Sequence, residues 1–214
     1  MKKNHGFTLV EIAIVLVIIG LLLGGVMKGQ AMIENARIRN LAGELEATAA
    51  AVYAYQQRYQ RLPGDDERAT RWIGAIAGDG NGRLDSNDNA FELGTMGNHE
   101  RRNFWQHLRH AGLLKGDAAD TRQPQHAFGT PFGVVSGNGA TPLGLSGPIV
   151  LCASMVPWQA AEALDLQLDD GRPDSGTLRA QVQTDPAANL GNAAAAAAQY
   201  SVASGAHYAL CKAL

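Results

Sequence analysis

Gly6-Phe7-Thr8-Leu9-Val10-Glu11 opens an apolar run that continues through residues 12–27. Between Phe7 and Met27 the only charged residue is Glu11. The run has about the 20 residues a helix needs to cross a bilayer core. A lone carboxylate in such a span costs roughly 2.5–3.5 kcal/mol on insertion scales, so it calls for a partner that offsets it. Lys2, Lys3 and His5 precede Gly6. A basic flank ahead of an apolar core keeps the amino end in the cytoplasm. Gly24-Gly25-Val26-Met27-Lys28-Gly29 closes the run without the small-x-small pattern of a secretory cleavage site. The segment is therefore expected to stay on the chain.

These residues resemble the prepilin-peptidase site of type IV pilins and of type II secretion pseudopilins. The likeness lies in a glycine, an aromatic residue, a hydroxyl, two apolar residues and a glutamate, set between a basic leader and a spanning segment. It implies a cut between Gly6 and Phe7 by a prepilin peptidase, then N-methylation of Phe7. It further implies that Glu11 pairs with the free amino terminus of a neighbouring subunit. Elementary electrostatics agrees with that pairing. Cleavage leaves an ammonium at Phe7, and two opposite charges in a low dielectric offset each other's desolvation. Glu11 also lies one helical turn from Phe7, so a pair within one chain is open as well. A plain anchor whose Glu11 reaches the headgroups is the simpler alternative, but it leaves the Gly6-Phe7 junction unexplained.

Beyond the span the pattern becomes amphipathic. Ile38, Leu41, Leu45, Ala49, Val52 and Tyr59 recur at the spacing of one helix face, with Glu34, Arg37, Arg39, Glu44 and Glu46 on the others. No proline occurs between Met1 and Pro63. A single helix over about residues 8–60 is expected, roughly 80 Å long at 1.5 Å per residue. Gly20, Gly24 and Gly25 are its weak points in water, and points of close helix approach in lipid. Tyr53, Tyr55 and Tyr59 are expected to pack on a sheet. Leu62-Pro63-Gly64-Asp65-Asp66 stops the helix and begins a turn.

The later chain reads as short elements. A Gly/Asn/Asp loop spans residues 78–89, and residues 101–114 read as a short helix. The block from Leu62 to Leu114, with Arg61-Leu62-Pro63-Gly64-Asp65 at the helix exit and Phe104-Trp105-Gln106-His107-Leu108 in the short helix, resembles a subset of pilins. Residues 132–135 and 148–152 are short apolar runs between glycine and proline, and they read as strands. Residues 159–168 suggest a helix, 169–176 a turn, 177–182 a strand and 207–211 a last strand. Residues 193–198 are alanine-rich and either helical or filler.

Composition narrows the function. The chain has 214 residues, enough for one domain and a tail, and a net charge of -2. There is no broad basic field, hence no electrostatic case for nucleic acid. Cys152 and Cys211 are the two cysteines. With the amino end in the cytoplasm both face the periplasm, where disulfides persist. A bridge would close a loop of about 60 residues and contribute roughly 4 kcal/mol, whereas two buried thiols would contribute none. In the pilins that the chain resembles, such a pair often bounds the C-terminal loop region.

Other chemistry is thinly marked. Asp79, Asn81, Asp85, Asn87 and Asp88 offer hard oxygens for calcium. Counted from Asp79 the EF-hand pattern fails, since Arg83, Leu84 and Ala90 fall where ligands or glycine belong. A hydrogen-bonded turn is the plainer expectation. His107 and His110, with His99 upstream, suggest a zinc pair without a third ligand. Gly78, Gly80 and Gly82 do not make a dinucleotide fingerprint. No nucleophile motif occurs, so no enzymatic activity is expected.

The expected fold is α+β: a long N-terminal helix packed on a small antiparallel sheet. The expected layout is a cleaved leader at 1–6, a helix at 7–60 whose residues 7–27 span the membrane or form a filament core, and a periplasmic head at 61–214. The resemblance implies a structural subunit of a type IV pilus-like filament. Its implied partners are other pilin subunits, a prepilin peptidase, and an assembly platform with its ATPase. The subunit would wait in the inner membrane and move to a cell-surface fibre. A type II secretion pseudopilin, a minor pilin whose head binds a surface, receptor or DNA, and a membrane-tethered hydrolase are the alternatives.

Overall fold

The computed structural model describes residues 9–84, 91, 99–136, 142–186, 196–201 and 205–214. Helix α1 runs Leu9–Tyr59 unbroken, as the absence of early proline permits. It ends where Gln60 takes a left-handed φ of 55° and Pro63 and Gly64 follow. The chain divides into two compact units, one ending at Arg37 and one comprising Ile38–Leu214. From Leu9 to Arg37 every residue except Gly29 is exposed.

In the second unit the later part of α1 buries Ile38, Leu41, Ala42, Leu45, Thr48, Ala49, Ala51, Val52 and Tyr55. The stripe continues the spacing read from the sequence, with Tyr55 fully buried and Tyr59 partly buried against the same core. Tyr53 is half-exposed, so the tyrosine patch is split rather than packed as a unit. Helix α2, Glu100–His110, is shorter than the sequence suggested. Gly112 adopts φ 70°, and the Leu113 amide donates to the Leu108 carbonyl at 2.9 Å, which closes the helix end.

Four strands form one antiparallel sheet: β1 Phe132–Val135, β2 Val150–Pro157, β3 Leu178–Gln183 and β4 His207–Ala213. Their order is β1-β2-β4-β3. Helix α3, Trp158–Leu168, follows β2 directly. Strand β2 runs five residues past the expected end at Cys152. Ala153-Ser154-Met155-Val156-Pro157 lacks clean alternation because the register shifts between Ala153 and Val156, and Met155 sits at φ 49°.

Both faces of the sheet are covered. Leu151, Ala153, Tyr208 and Leu210 join α1, α2 and α3 in the main core. Val150, Cys152, Ala209 and Cys211 join Phe91, Leu143 and Leu145 in a second cluster. Period-two alternation sends neighbouring residues to opposite faces. That is why Ile149-Val150-Leu151-Cys152 reads as an unbroken apolar run.

Candidate functional site

The apolar half of α1 is the first candidate. Leu9, Val10, Ile12, Ile14, Val15, Leu16, Val17, Ile18 and Ile19 are all exposed, and their near-continuous run covers every azimuth of the helix. A helix apolar all round must be buried by something outside the chain. Each large aliphatic side chain covered is worth about 1.5–3 kcal/mol. The helix is long and apolar enough to cross a membrane. Glu11 lies in its first turn, on the exposed surface, where the helix dipole favours an anion. Gly6 and Phe7, the expected cleavage and methylation residues, lie outside the described residues.

The second candidate is the exit from α1. Asp66 is fully buried and receives the Tyr55 hydroxyl at 2.6 Å on Oδ2. The Arg71 guanidinium pairs with the same oxygen, and the Arg68 amide donates to Oδ1 at 2.9 Å. Burial, then the Asp66 carboxylate, push the Tyr55 hydroxyl well above the ordinary phenol range. Arg71 also stands 4.5 Å from the ring centroids of Tyr59 and Trp72. This cluster fixes the helix end to the following chain.

Asp65, next to it, organises the glycine-rich loop. Its Oδ1 accepts the amides of Gly80 at 2.7 Å and Asn81 at 3.0 Å, and Oδ2 accepts Gly82 at 2.7 Å. Glu100 Oε1 accepts the Asp79 amide at 2.8 Å. The carboxylates of Asp65, Asp79 and Glu100 lie within 4.8 Å of one another. Burial pushes the Asp65 carboxyl up, against the pull of its three amides. Gly64 adopts φ 94°, and a Cβ there would stand 2.8 Å from the Leu84 side chain, so glycine is required. Of the oxygens considered for calcium, Asp79 and Asn81 belong to this turn, while Asp85, Asn87 and Asp88 lie outside the described residues.

α2 completes the arrangement. His107 Nδ1 accepts the Gly64 amide at 2.9 Å, so the proton sits on Nε2, which donates to the Ile76 carbonyl at 2.7 Å. Burial lowers its pKa and keeps it neutral. With both ring nitrogens committed to backbone, His107 does not form a metal pair with His110. Gln106 accepts the Ile76 amide at 3.2 Å and donates to the Gly74 carbonyl at 3.1 Å. The sequence did not mark Asp65, Asp66, Glu100 or Gln106 as organising residues. The one available signal was two adjacent acids directly after a helix stop.

Cys152 and Cys211 form a disulfide between facing positions of β2 and β4, separated by 59 residues in sequence. A further carboxylate group, Asp165, Asp169 and Asp170, serves the turn before β3. Asp165 accepts the Tyr200 hydroxyl at 2.6 Å, and Asp169 accepts the Thr177 amide at 2.6 Å.

Residues 1–27 match the family described as the prokaryotic N-terminal methylation motif. No curated protein matches the chain. Proteins of this motif are structural subunits. The long apolar helix, the small antiparallel sheet and the disulfide accompany that motif here. The amino-terminal segment thus carries the prepilin-type cleavage and methylation motif, the motif of type IV pilin-like and pseudopilin precursors.

Proposed function

We propose that the chain is a pilin subunit of a type IV pilus-like filament. One observation carries this: a methylation motif leads into a helix half that is apolar on every side and exposed. Lipid covers that surface before assembly, and the same helices of other subunits cover it afterwards. No contact with water is needed in between. A Cβ at Gly20, Gly24, Gly25 or Gly29 would meet nothing within 4 Å, so a neighbouring helix backbone has room to approach there. Prepilin peptidase cuts after Gly6, Phe7 is N-methylated, and Glu11 takes the new amine of the neighbouring subunit. The pair sets the axial register, because an uncompensated carboxylate among apolar helices is costly. An assembly platform and its ATPase drive extraction from the inner membrane, where the amino end faces the cytoplasm. A pseudopilin of type II secretion would use the same helix. The resemblance of residues 62–114 to pilins favours the pilus subunit.

Mass spectrometry of the fibre fraction tests the proposal, with Glu11→Ala beside the unaltered chain. A methylated Phe7 at the amino end is expected, with Glu11→Ala processed but assembling poorly. A chain that keeps Met1 in the fibre, or normal fibres from Glu11→Ala, would overturn it.

A further inference from the structure

Among the described residues three Asp or Asn residues stand directly before a glycine: Asp79-Gly80, Asn81-Gly82 and Asp170-Gly171. Glycine has no side chain to hinder attack of its amide nitrogen on the side chain before it. At Asn81 that attack forms a bond from the Gly82 nitrogen to Cγ, expels the side-chain nitrogen as ammonia and closes a succinimide. Water then opens the ring to aspartate or isoaspartate. At Asp79 and Asp170 a water leaves and another returns, and isoaspartate is the new product. Asp79, Asn81 and Asp170 are all exposed, so water reaches them.

The fold treats the three glycine amides alike. Gly80 donates to Asp65 Oδ1 at 2.7 Å and Gly82 to Asp65 Oδ2 at 2.7 Å. Gly171 donates to Asp165 Oδ1 at 3.2 Å. Asp65 and Asp165 are both buried, and they come from different places, the exit of α1 and the body of α3. The side chains open to attack are held as well. Asn81 Nδ2 donates to Asp79 Oδ2 at 2.8 Å, and its Oδ1 accepts the Arg83 amide at 2.8 Å. Asp170 accepts the Arg172 amide at 2.9 Å on Oδ1 and the Ser175 hydroxyl at 2.6 Å on Oδ2.

The attacking nitrogen must first lose its proton. Beside a carboxylate that loss sets a second negative charge one hydrogen-bond length from the first, and like charges disfavour it. The charge-assisted bond must also break before the nitrogen can turn towards Cγ. We infer that Asp65 and Asp165 shield these turns from succinimide formation, and that Asn81 becomes a deamidation site once Asp65 is lost. Isoaspartate adds a carbon to the backbone, which would break the turn that Asp65 organises. The inference concerns the head alone and goes beyond the filament function.

Peptide mass spectrometry of the detergent-solubilised full chain tests it, after ageing in mildly alkaline buffer, with isoaspartate measured by enzymatic methylation. The chain unfolded in urea gives the unshielded rate. Native Asn81 should convert at least about tenfold more slowly, the rate equivalent of one hydrogen bond to a charged group. Asp65→Asn in native buffer should bring Asn81 close to the urea rate and leave Asp170 as slow as before. Asp165→Asn should do the reverse, raising isoaspartate at Asp170 and not conversion at Asn81. Equal rates for native and unfolded Asn81 would overturn the inference. Acceleration of both turns by either variant would also overturn it, since that is general loosening of the head. Unchanged or slower conversion of Asn81 in Asp65→Asn would do the same, the slower case making Asp65 a base for the attack. Each of these outcomes leaves the pilin function standing.

Discussion

Removing the disulfide should cost the head a large share of its stability. Cys152 and Cys211 face each other across β2 and β4, 59 residues apart in sequence, and neither is exposed. The bond acts chiefly on the unfolded chain, which it forbids from opening a loop of about 60 residues. In the chain-entropy model that restriction is worth about 4 kcal/mol at 25 °C. Exchanging both residues for alanine also deletes two sulfur atoms from the cluster with Phe91, Leu143, Leu145 and Val150. Each void adds about 1 kcal/mol. Domains commonly hold 5–15 kcal/mol in all, so the double variant sits near the edge of folding. Urea unfolding of the detergent-solubilised chain, followed through tryptophan fluorescence, measures the loss. With a slope of about 2 kcal/mol per molar, the midpoint should fall by about 2 M or more. Reductant added to the native protein should act only as fast as the head opens, since both sulfurs are buried. A midpoint shift below about 0.5 M would refute the entropic account. It would mean that residual structure already confines the unfolded ensemble without the bond.

Acid should weaken the head through His126, whose Nε2 lies 2.9 Å from the Ser154 carbonyl and whose pKa burial lowers to about 4. The unfolded chain takes up that proton near pH 6.5. Stability is then fully present above pH 6.5 and declines as pH falls towards 4, by about 3 kcal/mol in total. Urea midpoints at pH 7.5, 5.5 and 4.5 should show this decline, and His126→Gln should flatten it; equal slopes for the two chains would contradict it. Asp65→Asn should cost about 1–3 kcal/mol, because an amide nitrogen would face the Gly82 N–H in place of an accepting oxygen. Hydrogen exchange at Gly80, Asn81 and Gly82 should quicken at least tenfold, and unchanged protection there would count against Asp65 as the organiser.

Much of the architecture was legible because it is local. The one-sided apolar spacing that starts at Ile38 marks where α1 begins to pack into the core. β1 and the start of β2 were legible as short apolar runs, yet the far end of β2 was missed. Its bulge breaks the alternation that marks a strand, and Met155 there takes a conformation that composition does not reveal. The end of α2 was overrun because Leu113 and Leu114 continue the apolar spacing, while Gly112 has already turned the chain. His107 was legible only as a histidine on a helix. Its commitment to Gly64 and Ile76 depends on residues 43 and 31 positions away.

By itself the sequence determined the amino-terminal motif, the long helix and the charge at Glu11. Each is a matter of residue type and spacing along one helix. Only the tertiary structure decided the strand order β1-β2-β4-β3 and the burial of Asp65, Asp66 and Glu100. It also decided that the loop of Gly74 and Ile76 is fastened from within. Those features arise when segments tens of residues apart close on one another and must satisfy buried amides and carboxylates together. Periodicity carries the first kind of information, and chain closure supplies the second.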